Sequence, residues 1–343
     1  MTDSSNPELI LTSSPFVKDT ADTKWIMWQV NLALIPVIIS AAWFYGIAAV
    51  LIMGSSIAGS VISEYVALRK SDTHTGITDG SAVLTGVLLG LTLPPGIPLW
   101  MAFVGGAVAI TLGKVIFGGL GANMFNPALV GRAFLQAAFP VALTTWAPVS
   151  SPDRFQSISS SLLAPPFISP TLDGVSAATP LASKFFDGQD TALMSLMDGS
   201  TSGSLGESAG LVILACGVYL AIRRVINPRV SIAMLGTVAA MTAILFALSP
   251  DVYPSPGFHL FSGGLFLGAV FMATDPVTSP LTHKGCWIFG IGIGILVVII
   301  RQFGGLPEGV MYAILFMNAC VPLINRLSQP RTFGSSKRVY FTR

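Results

Sequence analysis

Ten apolar runs, each close to the length a helix needs to enter or cross a bilayer, follow one another along the 343 residues. A hydrocarbon core of about 30 Å takes roughly 20 apolar residues as helix, and fewer where a helix is broken or enters partway. By that measure the runs are 26–44, 47–66, 80–93, 98–116, 127–143, 209–222, 230–248, 258–274, 286–300 and 309–325. Charged residues make up only 10% of the chain, against about 25% in a soluble domain. So little charge cannot cover a water-facing surface. The expected fold class is therefore an all-α polytopic membrane protein of about ten transmembrane helices. A net charge of +2 is too small for a nucleic-acid footprint, and no nucleic-acid partner is expected. Cys216, Cys286 and Cys320 lie far apart inside apolar runs, which argues against a disulfide framework, a zinc site or a four-cysteine cluster in this chain. The first 24 residues are polar, with Asp3, Glu8 and Asp19, and carry no apolar core ahead of a cleavage site; no cleaved signal peptide is expected.

Lys and Arg in short loops set the orientation. With both ends in the cytoplasm, the inner side receives Lys18, Lys24, Arg69, Lys70, Lys114, Arg223, Arg224, Arg229, Lys284 and the basic tail from Arg326, 14 of the 18 basic residues. The outer side receives Arg154, Lys184 and the helix-end Arg301. The organisation expected is a cytoplasmic N-terminal segment 1–25, helices over 26–143, an outer loop over 144–208, helices over 209–325 and a cytoplasmic tail 326–343. The loop is rich in Ser, Thr, Pro and Gly, and a segment of that length is either functional or disordered.

The two halves also echo each other. Phe117-Gly118-Gly119-Leu120 precedes the fifth run and Phe303-Gly304-Gly305-Leu306 the tenth, while Gly86 and Gly90 in the third run match Gly264 and Gly268 in the eighth. Both glycine pairs have the small-x-x-x-small spacing that lets helices approach closely. Five crossings per half would make the repeats inverted, with broken helices lining a site. The third run ends at Pro94-Pro95, where a helix must stop.

Soluble-enzyme motifs are missing: there is no H-E-x-x-H, G-x-S-x-G or G-x-x-x-x-G-K-[ST]. His74, His259 and His283 do not cluster. What remains are polar groups where burial is expensive. Arg132 lies inside the fifth run, in Asn126-Pro127-Ala128-Leu129-Val130-Gly131-Arg132, and an intramembrane ionisable group is a functional candidate. Glu64, near the inner end of the second run, is expected to reach water. Asp275 stands in Thr274-Asp275-Pro276-Val277-Thr278-Ser279-Pro280, where two prolines hold the backbone off helix. Its oxygens suit either a cation or the polar edge of a flavin, and a helix cap explains it equally well. In the loop, Asp173-Gly174-Val175-Ser176-Ala177-Ala178-Thr179-Pro180-Leu181 reads as a turn presenting an accessible hydroxyl.

That last stretch resembles the D-G-x-[ST]-G-A-T-P-L flavinylation motif of the RnfD/NqrB family, membrane components of the Rnf and Na⁺-pumping NADH:quinone oxidoreductase complexes. Ala177 stands where the family has Gly. The segment from Gly118 to Leu135 and the segment 271–285 resemble two further family signatures, so the likeness spans about residues 20–325. The resemblance implies FMN held covalently on Thr179 through a phosphoester made by a flavin transferase outside the cytoplasmic membrane. Small neighbours and an extended residue before Pro180 are what such a transfer needs. It further implies a second, non-covalent flavin, riboflavin, and partners that include another FMN-carrying subunit and iron–sulfur subunits. The expected function is electron transfer between ferredoxin and NAD coupled to Na⁺ or H⁺ movement, in a bacterial or archaeal cytoplasmic membrane. Cofactor-binding candidates are Thr179, Ser176, Asp173, Asn126, Arg132 and Asp275. The length fits the Rnf branch better than the longer quinone-reductase branch, whose N-terminal extension is missing here. An NqrB-like subunit and a flavin-free inverted-repeat transporter or channel are the alternatives.

Overall fold

A computed structural model of the chain describes residues 22–69, 78–156, 158–166, 178–305 and 308–330. Regular structure among the described residues is helical, without strands. Five helices are long and apolar enough to cross a membrane: α1 (Thr23–Tyr45), α2 (Ile47–Leu68), α10 (Pro228–Leu248), α13 (His283–Phe303) and α14 (Val310–Ser328). The other five runs fold as shorter or interrupted pieces. These are α3 (Ser81–Thr92); α4 (Leu99–Ile110), extended by a π turn to Val115; α5 (Pro127–Ala138) with α6 (Pro140–Thr144); α9 (Gly210–Ile222); and α11 (Pro256–Phe261) with α12 (Leu265–Leu267), the latter continued by a π turn over Gly268–Met272. The loop contributes α7 (Pro180–Ala182) and α8 (Leu193–Asp198). The molecule is an all-α polytopic membrane protein.

Local chemistry sets these boundaries. Asn126 and Asn227 each accept backbone N–H bonds from the first turn of a helix whose first residue is proline, where no N–H is needed. Leu93 is extended (ψ 151°), as the residue before Pro94 must be, and this ends α3 where its run ends. Pro140 separates α6 from α5. The eighth run breaks at Gly263, whose φ of +70° favours glycine. A Cβ there would also stand 2.9 Å from Leu181 and 3.1 Å from Arg301.

Packing repeats between the halves. The two most extensive helix pairs are α2 with α4 and α10 with α13, at equivalent places in the first and second halves. Both crossings rest on glycine. A Cβ on Gly59 would lie 2.1 Å from the Phe103 carbonyl oxygen and one on Gly106 2.3 Å from that of Ser56. Across α10 and α13, one on Gly290 would lie 2.6 Å from the Val230 carbonyl oxygen, and one on Gly294 2.7 Å from Thr237. With lipid as apolar as any side chain, such backbone approach is a main source of helix association in a membrane. The expected glycine echo holds at Gly86, Gly90 and Gly268, all in tight contact. It fails at Gly264, which has nothing within 4 Å among the described residues because the helix has already broken beside it. Outward, α1, α2 and α10 present Ile39, Val66 and Ile244. Inward, Leu34, Ile52, Leu89 and Phe289 are fully buried.

A cation ties each half together. Lys114, in the π turn that ends α4, donates to Glu64 of α2 and, at 2.5 Å, to Ser81 at the start of α3. Arg301, in the last turn of α13, donates to the carbonyls of His259 (2.6 Å) and Ser262 (2.9 Å) in the broken eighth run. Both cations precede a Phe-Gly-Gly-Leu sequence. Glu64 is therefore not a water-reaching side chain: it is 2% exposed and Lys114 4%. The expectation fails because the partner, 50 residues on, reads in sequence as a solvated cation at a loop.

Candidate functional site

Thr179 caps α7. Its backbone is extended (φ −70°, ψ 155°), Pro180 occupies the first helical position, and its Oγ1 accepts the N–H of Ala182 at 3.1 Å. Leu181 anchors this turn against Leu196 of α8 and Phe258 of α11. Asp173 and Ser176 lie outside the described residues. The hydroxyl is not open to solvent as the loop composition suggests, since Thr179 is 2% exposed. It lines a cavity of about 530 Å³, within the range of cofactor pockets. The walls are mostly apolar, including Leu129, Trp146, Leu267 and Met272, and the charged lining groups are Arg132, Glu207, Arg301 and Glu308.

Those four side chains converge from both halves. Arg132, in the second turn of α5, donates to Glu308 just ahead of α14 at 3.1 Å. Glu207, in a 3₁₀ turn leading into α9, accepts the Ser204 hydroxyl at 2.7 Å. Loss of water pushes the Glu207 carboxyl up to about 8, the neighbouring Glu308 adds to this, and Ser204 and Arg132 partly offset it. Among the described residues, Arg132 Nη1, Arg301 Nε and Glu308 Oε1 are buried without hydrogen-bond partners. Two guanidinium groups with N–H bonds to spare beside an apolar chamber fit an anionic group attached to a planar, largely apolar ring system. Glu207 and Glu308 escape the sequence reading. Each stands just before an apolar run, and the signal available is the scarcity of acids at such places.

The remaining candidates lie elsewhere. Asn126 and Asp275 line a second cavity of about 60 Å³ with Lys114, Ser81, Thr85 and Thr274, room for water and far too little for a flavin. Asn126 is committed to structure: Oδ1 accepts from Ala128 at 3.0 Å, and Nδ2 donates to the Met272 carbonyl at 3.3 Å. Asp275 accepts from Val277 N–H and the Thr278 hydroxyl, both at 3.2 Å, as a turn cap does. Arg132 and Asp275 line different cavities. Arg132 has Glu308 as its partner.

The chain is similar to known proteins over most of its length. The NQR2, RnfD, RnfE family model matches residues 10–334. A protein of Clostridium ljungdahlii, named as the D subunit of a proton-translocating ferredoxin:NAD(+) oxidoreductase complex, is 39% identical over 95% of this chain and 96% of its own length. Proteins named as the D subunit of an ion-translocating oxidoreductase complex are similar as well. The one from Stutzerimonas stutzeri is 41% identical over 91% of this chain and 92% of its own, and that of Aeromonas hydrophila 35% identical over 96% and 99%. With the family model spanning the whole described bundle, this chain belongs to the NQR2, RnfD, RnfE family.

Proposed function

We propose that the chain is the D subunit of an Rnf-type ion-translocating oxidoreductase and carries FMN on Thr179 through a phosphoester. The observation that carries the reading is that the motif threonine and the intramembrane Arg132 line one cavity, although 47 positions separate them in the chain. Near-full-length similarity to proteins named as D subunits supports the assignment to the complex. When bound, the isoalloxazine passes electrons singly, so it can link an iron–sulfur partner to the next flavin. The chain supplies the setting for this. Leu129, Leu267 and Met272 keep water from the ring, while Arg132 and Arg301 place positive charge where negative charge arrives. The cavity end of the bundle faces outward, where a flavin transferase works, and the Lys114 end faces the cytoplasm. The coupled ion is Na⁺ or H⁺, and Asp275, beside a cavity with room for water alone, belongs to its path, while a second flavin, riboflavin, would need a site other than this cavity.

The test is mass spectrometry of the peptide spanning 164–184 after expression with a flavin transferase. FMN minus water should be added, and Thr179→Ala should lose it; a variant that keeps covalent flavin refutes the assignment. In assembled, flavinylated Arg132→Leu the midpoint potential should fall, because removing a cation disfavours the reduced anion. An unchanged potential removes the electrostatic role.

A further inference from the structure

Arg132 and Glu308 make an incomplete pair. An arginine and a carboxylate held together for stability commonly form two parallel bonds. Here one is made, from Nη2 to Oε2 at 3.1 Å, while Arg132 Nη1 and Glu308 Oε1 have no partner among the described residues. The two members are also unequal. The Arg132 side chain is 9% exposed and fixed within α5, whereas that of Glu308 is 27% exposed and precedes Gly309 at the start of α14. The acid is thus the member that can leave for water at small cost, and the arginine is the member that cannot.

In the cavity beside them Arg132 and Arg301 face Glu308, the anion held on Arg132, and Glu207, whose carboxyl is pushed up to about 8 by burial. A phosphate entering this chamber finds its natural cation engaged, and it cannot dock beside Glu308 without like-charge repulsion in a poorly solvated site. It can replace Glu308, offering the bidentate contact that Glu308 does not make.

We propose that Glu308 is a displaceable resident anion of the Arg132 site: a flavin phosphate takes Arg132 from it, and Glu308 thereby sets how tightly the cavity holds phosphate-bearing flavin. This rests on the cavity being the flavin site, and it assigns Glu308 a positioning and selectivity role, not a catalytic one. It requires no covalent attachment, so it can be examined on the chain made without a transferase.

The experiment measures binding of free FMN and of riboflavin, which lacks the phosphate, to the full unmodified chain in detergent by fluorescence quenching. Glu308→Gln keeps the side-chain shape and removes the charge. It should tighten FMN about tenfold, the size of one charge-assisted contact regained, and move riboflavin less than about twofold. Glu308→Asp keeps the charge and should leave the preference for FMN near wild type, so a general disturbance of the segment is recognised by both variants shifting together. Equal shifts for both flavins, or an unchanged FMN affinity in Glu308→Gln, overturn the role of Glu308 while leaving the cavity as a flavin site. If no variant binds either flavin, the flavin site itself is refuted, and the role of Glu308 with it.

Discussion

Replacing Lys114 with methionine should be one of the most damaging single changes in the molecule. Methionine keeps much of the stem volume but removes the ammonium that donates to Glu64 and to Ser81. Glu64 is then left 2% exposed with no cation, and its Oε2 already lacks a partner among the described residues. Breaking a buried pair in this way costs about 3–5 kcal/mol, because the surviving charge keeps its desolvation penalty. Glu64→Gln should cost less, about 1–3 kcal/mol, since Lys114 keeps Ser81 and has Asp79 at 3.9 Å. The Glu64→Met, Lys114→Met double variant removes both charges and should return to within about 1 kcal/mol of wild type. Reversible unfolding in mixed micelles, followed by circular dichroism across these variants, measures each term. A Lys114→Met cost under about 1 kcal/mol, or a double variant as unstable as the single, would refute the reading of this pair as the tie of the first half.

Three further outcomes are expected. A Cβ on Gly290 would meet Ala233 and the Val230 carbonyl oxygen, both at 2.6 Å, so Gly290→Ala should lower the melting temperature by prising α10 from α13; Gly236, with nothing within 4 Å among the described residues, should accept alanine unchanged or gain up to about 1 kcal/mol. The Glu207 carboxyl, raised from its ordinary 4.5 to about 8, contributes stability that is complete below about pH 4.5 and lost as pH rises through about 8, so Glu207→Gln should flatten the melting temperature across that window. A cysteine at Ser160, exposed in the loop, should react with an impermeant thiol reagent in intact cells, while one at Ser335 should not; the reverse pattern overturns the proposed orientation.

Much of the architecture is legible in the sequence because a bilayer leaves few options. The boundaries at Asn126-Pro127, Asn227-Pro228 and Pro94 follow from capping and proline sterics that act within one turn, and the helices fall where the apolar runs do. The packing symmetry shows in part. Phe-Gly-Gly-Leu marks both cations' helix ends, but the fourth matching glycine, Gly264, sits at a break that periodicity does not reveal. The site is harder to read, because its charges meet across long separations. Arg132 announces itself as costly, yet its partner is 176 residues away, and Glu64 and Lys114 look like solvated ends until packed together. Thr179 is marked by its neighbours in sequence, whereas the turn it caps is anchored through Leu181 by α8 and α11, which that motif does not encode.

The charge partnerships divide between those made within a half and those made across halves, and this constrains biogenesis. Glu64, Lys114 and Ser81 all belong to the first half, and Arg301 with the His259 and Ser262 carbonyls to the second, so each half can reach its own ties as it leaves the translocon. The cavity differs, because Arg132 comes from the first half and Glu207, Arg301 and Glu308 from the end of the loop and the second. No ribosome-bound intermediate ending in the loop can hold it. The chamber is therefore the last feature to exist during synthesis, and until α14 has been inserted Arg132 must be sheltered by lipid headgroups, water or a chaperone.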